Sequence, residues 1–231
     1  MKKVAVILWK QSKDIWRNKE VLIQFLLFPC MALIMEGTIK LPDMPERFFT
    51  MLFAVMYIGM APLVSMSSLV AEEREKNTLR VLLFADVRPG EYLLGTGSYV
   101  WMICMLGSCL LVLAGGFQGQ AAVQFLGIMG IGILPSILLG AAVGMGSRNQ
   151  VAATSLTVPV MMVLAFLPMI AMFNEQVAKI SRFLYTRRLH QLLADFGQRK
   201  MGGEDMMVLL INMGAALVLF LIAYKRLKRE F

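Results

Sequence analysis

Residues 71–84 read Ala71-Glu72-Glu73-Arg74-Glu75-Lys76-Asn77-Thr78-Leu79-Arg80-Val81-Leu82-Leu83-Phe84. Charge crowds into the first part, an apolar run closes it, and the turn Asp86-Val87-Arg88-Pro89-Gly90 follows. On either side the chain is apolar enough to sit in a bilayer. A charged stretch held between two apolar segments must face water. The short apolar helix after it is expected to lie along the membrane surface, where a soluble partner can push on it.

Composition sets the class. Of 231 residues, 58% are hydrophobic and only 16% are charged, below the charge of an ordinary soluble domain. The long uncharged stretches match membrane spans of roughly 20 residues each. The predicted fold is therefore an all-α, polytopic integral membrane protein, a single transmembrane domain over residues 1–231. The formal net charge of +8 would suggest nucleic acid in a soluble protein. Here the Lys and Arg flank the spans, so they report topology and no nucleic-acid partner is expected. Cys30, Cys104 and Cys109 all lie in apolar segments without a disulfide spacing, and read as small apolar fillers. The apolar run of residues 4–9 stops at Lys10, too soon for a signal peptide.

Residues 4–17 form an expected amphipathic interfacial helix, with Leu8, Trp9, Ile15 and Trp16 on one face and Lys10, Lys13 and Arg17 on another. Six spans follow, at residues 21–39, 48–70, 93–117, 123–146, 151–173 and 206–224. The cytoplasmic segment 71–92 separates the second from the third. Gly140 and Gly144, four apart in the fourth span, allow close helix approach. Segment 174–205 is the longest polar stretch. Its Val177, Ile180, Leu184, Leu189, Leu192, Leu193 and Phe196 recur at helical spacing, which predicts an amphipathic helix on the extracellular membrane surface.

With the N-terminus inside, most of the 23 Lys and Arg fall in inner segments, which predicts both termini in the cytoplasm. The basic residues between Lys179 and Lys200 run against this bias, in a long segment where the rule weakens. The halves show no internal repeat.

Chemistry of the usual enzymatic kinds is missing. The one histidine, His190, reads as a solvated-face residue with no metal partners nearby. No phosphate-binding loop occurs, so the chain is not expected to bind ATP by itself in that way, and no cofactor or catalytic residue is expected in it. Glu72-Glu73 matches half of a glutamate-protease motif, but the arginine spacing and second-site histidines fail. From the second span to the sixth, mid-depth positions hold essentially no ionisable residue. Gln24, Asn212 and the end-lying Glu36 are the polar exceptions. Ion-coupled carriers place acids or broken helices there, so the energy is expected from a cytoplasmic ATPase. The 20 methionines suit variable apolar contacts, or ordinary lipid-facing packing.

Ala71-Glu72-Glu73-Arg74-Glu75-Lys76-Asn77-Thr78-Leu79-Arg80-Val81-Leu82-Leu83, followed by Leu93-Leu94-Gly95, resembles the signature of the type-2 ABC exporter permease family. That pattern is roughly Ala-x-Glu-Lys/Arg-Glu-x-Gly-Thr-Leu-x-x-Leu-Leu, a proline turn, then Leu-Leu-Gly-Lys. Asn77 replaces its glycine, Asp86 its proline and Thr96 its lysine. Asn tolerates the left-handed backbone that glycine supplies, so the turn should survive. The layout of entry helix, six spans and polar pre-terminal segment also resembles the family.

The resemblance implies two permease copies, a homodimer, paired with two cytoplasmic ABC ATPase subunits in a bacterial cell membrane. It places a coupling helix within residues 73–90, with Glu73, Arg74, Glu75, Lys76, Asn77, Thr78, Leu79, Arg80, Leu82 and Leu83 as ATPase-coupling residues. Leu79, Leu82 and Leu83 would anchor one face in the membrane surface, while Glu73, Glu75, Lys76 and Arg80 meet the partner. The implied activity is export of a hydrophobic or amphipathic substrate, such as an antimicrobial peptide or drug; substrate-binding residues are not readable. The competing readings are a membrane immunity or sensor protein without transport, and an ATP-independent channel. Both predict no ATPase partner and free replacement of Glu75.

Overall fold

The computed structural model describes residues 2–14, 19–39, 45–84, 87–194 and 202–230. These residues form helices α1 (Lys2–Asp14), α2 (Lys19–Thr38), α3 (Phe48–Glu75), α4 (Thr78–Phe84), α5 (Pro89–Ala114) and α6 (Gly119–Gly146). After them come α7 (Gln150–Met161), a π-turn (Met162–Phe166), α8 (Leu167–Ile170), α9 (Glu175–Ser181), α10 (Tyr185–Ala194) and α11 (Gly203–Glu230). No strand occurs among the described residues.

Among the described residues, five segments are long and apolar enough to cross a membrane: α3, α5, α6, the run Gln150–Ile170 and Gly203–Lys228 of α11. Over the first expected span, the described residues supply the apolar helix Leu22–Thr38, within the 20-residue α2. Pro168 has no N–H to bond the carbonyl four residues back. The fifth span opens into its π-turn just before that residue, a widening such helices accommodate locally.

Helix α3 is the hub. It is apolar around its whole circumference and is buried from Phe49 almost continuously to Ala71, as a helix enclosed by others must be. Helices α2, α5, α6, α7 and α10 pack around it. Lipid gives helices no hydrophobic reason to associate, so close packing must supply the attraction. The expected small-residue contact is present. A β-carbon at Gly144 would sit 2.8 Å from the Ser67 carbonyl oxygen, and one at Gly140 would collide with the carbonyl oxygen of Leu63. Buried hydroxyls add cross-links: Ser136 donates to the Ile58 carbonyl at 2.6 Å, and Thr157 to Ser67 Oγ at 2.9 Å.

The structure refines three expectations. Helix α3 continues beyond the expected span end at residue 70 to Glu75, so the first half of the charged stretch is its last turn. Ala, Glu and Arg are good helix formers, and Glu72 pairs with Lys76 one turn on. In α1 the packed face carries Ile7 and Gln11, while Trp9 is 62% exposed; Ile7 wins because Gly95 leaves room for it on α5. Trp9 instead stacks under the Lys13 ammonium, 3.9 Å from its ring centre. Ile15 and Trp16 lie outside the described residues, as does Phe196. Finally, α10 does not lie free on a surface. It buries Tyr185, Leu189, Leu192 and Leu193 against α3 and α6.

Candidate functional site

The end of α3 gathers the polar groups that the spans lack. The chain leaves the helix through Lys76 and Asn77, whose N–H groups donate to the carbonyls of Glu72 (3.0 Å) and Arg74 (3.1 Å). Asn77 has φ 55°, the left-handed backbone that its replacement of glycine requires. Helix α4 then begins at Thr78, whose hydroxyl donates to the Glu73 carbonyl at 3.1 Å and to the Glu73 carboxylate.

Glu73 is turned inward rather than toward water, at 8% exposure. Its carboxylate also takes an ion pair from Lys10 of α1. One carboxylate thus joins α1, α3 and α4. A buried acid is tolerable only when paired and hydrogen-bonded, and Glu73 has both.

Arg74 and Glu75 reach in another direction. Arg74 donates to the Met145 carbonyl near the end of α6. Glu75 Oε2 accepts the N–H of Gln150, the first residue of α7, at 2.9 Å. Helix ends leave carbonyls unpaired at the C-terminus and N–H groups unpaired at the N-terminus, with partial negative and positive charge respectively. Two neighbouring residues of opposite charge therefore clamp the two sides of the α6–α7 turn, each meeting the helix end that suits it. Asn149 completes the cap by accepting the Ala152 N–H at 2.8 Å, and the Gln150 amide donates to Ser68 Oγ at 2.7 Å.

Beyond this junction, α4 projects as a short ledge. Leu82 packs on the core, and its carbonyl accepts the Val87 N–H at 3.0 Å. Val81 is 65% and Phe84 92% exposed. Helix α5 restarts with the Arg88 N–H bonded to the Glu91 carboxylate at 2.9 Å.

The family model for the ABC-2 type transporter matches residues 2–186, from α1 into α10. The chain belongs to the ABC-2 type transporter family. It is a multi-pass membrane permease, the transmembrane component of an ABC transporter. No curated protein matches the chain.

Within this permease the family-signature residues are brought together, but they do not all face one way. Glu75, Lys76 and Asn77 are exposed, Arg74 and Thr78 half-buried and Glu73 buried. The side chains of Leu79, Arg80 and Leu83 lie outside the described set. Lys10, Met145, Gln150, Val81 and Phe84 were not among the coupling residues expected from the sequence. Nothing linear pairs Lys10 with a residue 63 positions away, although Lys10 belongs to the expected interfacial helix and Glu73 to the expected coupling residues. His190 corrects another expectation, since it is 5% exposed and its ring Nδ1 lies 3.4 Å from Arg187 Nη1. Arg187 has its pKa lowered by burial and by neighbouring Arg188. Burial raises that of Tyr185, keeping its hydroxyl protonated within hydrogen-bond distance of Ser136 Oγ, at 2.5 Å. Among the described residues no group of acidic, His or Cys side chains is placed to hold a metal.

Proposed function

We propose that the permease is the membrane half of an ATP-driven exporter, working as a pair with two separate cytoplasmic ATP-binding subunits that bind ATP and Mg. In this reading α4 is the coupling helix. Its exposed Val81 and Phe84 seat in the ATPase, and the signature charges of α3 spread the resulting push into the bundle. The observation that carries the reading is the junction at the end of α3. A displacement of α4 is transmitted through Thr78 and Glu73 to α1, through Arg74 to the end of α6 and through Glu75 to the start of α7. Small shifts of packed helices are a known route to larger transitions.

The six-span topology also belongs to this proposal. Helix α2, 20 residues long, rises about 30 Å, which is the thickness of the hydrocarbon core. With it counted as a span, both termini and α4 lie on the cytoplasmic side of a bacterial cell membrane, and α9 and α10 toward the outer side, with α10 packed between the spans at Ile58 and Gly132. The cargo is a hydrophobic or amphipathic molecule, an antimicrobial peptide or drug being the kind that a charge-poor pathway admits.

Phe84→Ala provides the test. The side chain is almost fully exposed, so its loss should leave the permease's own stability within about 0.5 kcal/mol. Co-purification with the ATPase in mild detergent should fall sharply. Retention of a stoichiometric ATPase by this variant, or absence of any ATPase from the wild-type preparation, defeats the proposal.

A further inference from the structure

Helices α5, α6 and α11 enclose an apolar groove of about 800 Å³. Its walls are drawn from within residues 90–102 of α5, 134–141 of α6 and 213–224 of α11. Twelve residues of helix rise about 18 Å, a little over half of a hydrocarbon core of about 30 Å. The groove therefore occupies one leaflet. That leaflet is the one on the side of the signature, because α5 begins there and α11 reaches it with the Tyr224 hydroxyl beside Gly90. Leu94, Met102, Leu134 and Leu221 leave large parts of their side chains exposed along it.

The open end is basic. Arg88 lies two residues before Gly90 at the start of α5. Lys225 and Lys228 stand one turn beyond the lining residues Leu221 and Tyr224, on the same face of α11. All three are exposed, and among the described residues none of them is in an ion pair. An apolar slot one leaflet deep, closed by cations at the headgroup level, has the polarity of an anionic lipid.

We propose that this groove holds one anionic phospholipid, its acyl chain against α5, α6 and α11 and its phosphate beside Arg88, Lys225 and Lys228. A zwitterionic lipid would have the same chain contacts but no net attraction to the three cations. Each basic residue at a membrane surface favours an anionic lipid by roughly five-fold. The site goes beyond the coupling reading and is independent of it.

The test is native mass spectrometry of the full-length chain extracted in mild detergent. Dioleoyl phosphatidylglycerol and dioleoyl phosphatidylcholine are added in equal amounts. The wild type should retain one phosphatidylglycerol after phosphatidylcholine has dissociated. The variant R88Q/K225Q/K228Q should lose roughly a hundred-fold in phosphatidylglycerol affinity, from the three contributions together. Gly97→Leu, which projects a side chain into the groove near Ile137, should release both lipids. Equal retention of the two lipids by the wild type overturns the proposal. So does unchanged phosphatidylglycerol retention in the charge variant, which alters only exposed side chains and whose fold is checked by circular dichroism.

Discussion

Replacing Lys10 with Met removes the one cation that, among the described residues, pairs with the Glu73 carboxylate. The two partners are unequally placed, with side chains 34% and 10% exposed for Lys10 and Glu73. Two unit charges about 4 Å apart attract by about 4 kcal/mol at an effective dielectric of 20, and desolvation cancels much of that. Breaking a buried pair is a different matter. It costs about 3–5 kcal/mol when the remaining charge stays buried. Glu73 does stay buried, but it keeps the Thr78 hydroxyl, so Lys10→Met should cost about 3 kcal/mol, at the lower end of that range. Glu73→Gln should cost only about 1 kcal/mol, the size of one hydrogen bond. Its amide oxygen still accepts from Thr78, and Lys10 can turn its ammonium to water. The double variant K10M/E73Q leaves no buried charge and should also lose about 1 kcal/mol, whereas independent effects would add to about 4 kcal/mol. Unfolding of the four proteins by SDS titration in mixed micelles, followed by circular dichroism, measures the difference. A double variant as unstable as the sum of the singles would refute the placement of Glu73 as a buried, Lys10-paired acid.

Asn77→Gly should leave stability unchanged or slightly improved, while Asn77→Val should lose about 1–2 kcal/mol because a β-branched side chain opposes φ 55°; the same SDS titration reads both. Gly144→Leu should cost about 3 kcal/mol or prevent folding, since its β-carbon meets the Ser67 backbone. Gly127→Leu, into open space, should be tolerated, and expression followed by gel filtration separates the two. Glu75→Lys should weaken the start of α7 by about 1 kcal/mol by placing a cation at a positive helix end. Glu75→Gln keeps an acceptor for Gln150 and should preserve stability, so transport in vesicles by the Gln variant reports on the charge alone.

Much of the architecture could be read from the chain because bilayer spans announce themselves by length. Glu72–Arg80 stood out for the same reason, as charge where the surroundings have none. What could not be read is which side of each apolar helix packs. In a membrane protein both lipid and core are apolar, so hydrophobicity does not separate Ile7, which is buried, from Trp9, which is exposed. The decision rests on shape, here the absence of a side chain at Gly95. Helix α10 misled in a related way. Its polar and apolar faces are those of a helix on a lipid surface, and the same pattern serves packing on a neighbouring helix. Contacts such as the leucine tip of Leu189 over Gly132 and the Tyr185 hydroxyl at Ser136 distinguish the two.

The signature charges carry the same lesson further. Read along the chain, Glu73, Arg74 and Glu75 form one water-facing patch, because charged residues next to a span are expected to seek solvent. On a helix, consecutive residues diverge by about 100°, so three neighbours cannot share a direction. Glu73 turns to Lys10 and Thr78, Arg74 to the end of α6 and Glu75 to the start of α7. Each direction ends on a group that needs its charge: an ammonium and a hydroxyl, an unpaired carbonyl, an unpaired N–H. The docking surface is then left to the residues that nothing inside the bundle engages, and Phe84, the most exposed large apolar side chain among the described residues, is the foremost of these. A charged consensus and an apolar contact thus divide the work, the first binding the helices to one another and the second, on the proposed mechanism, binding the ATPase.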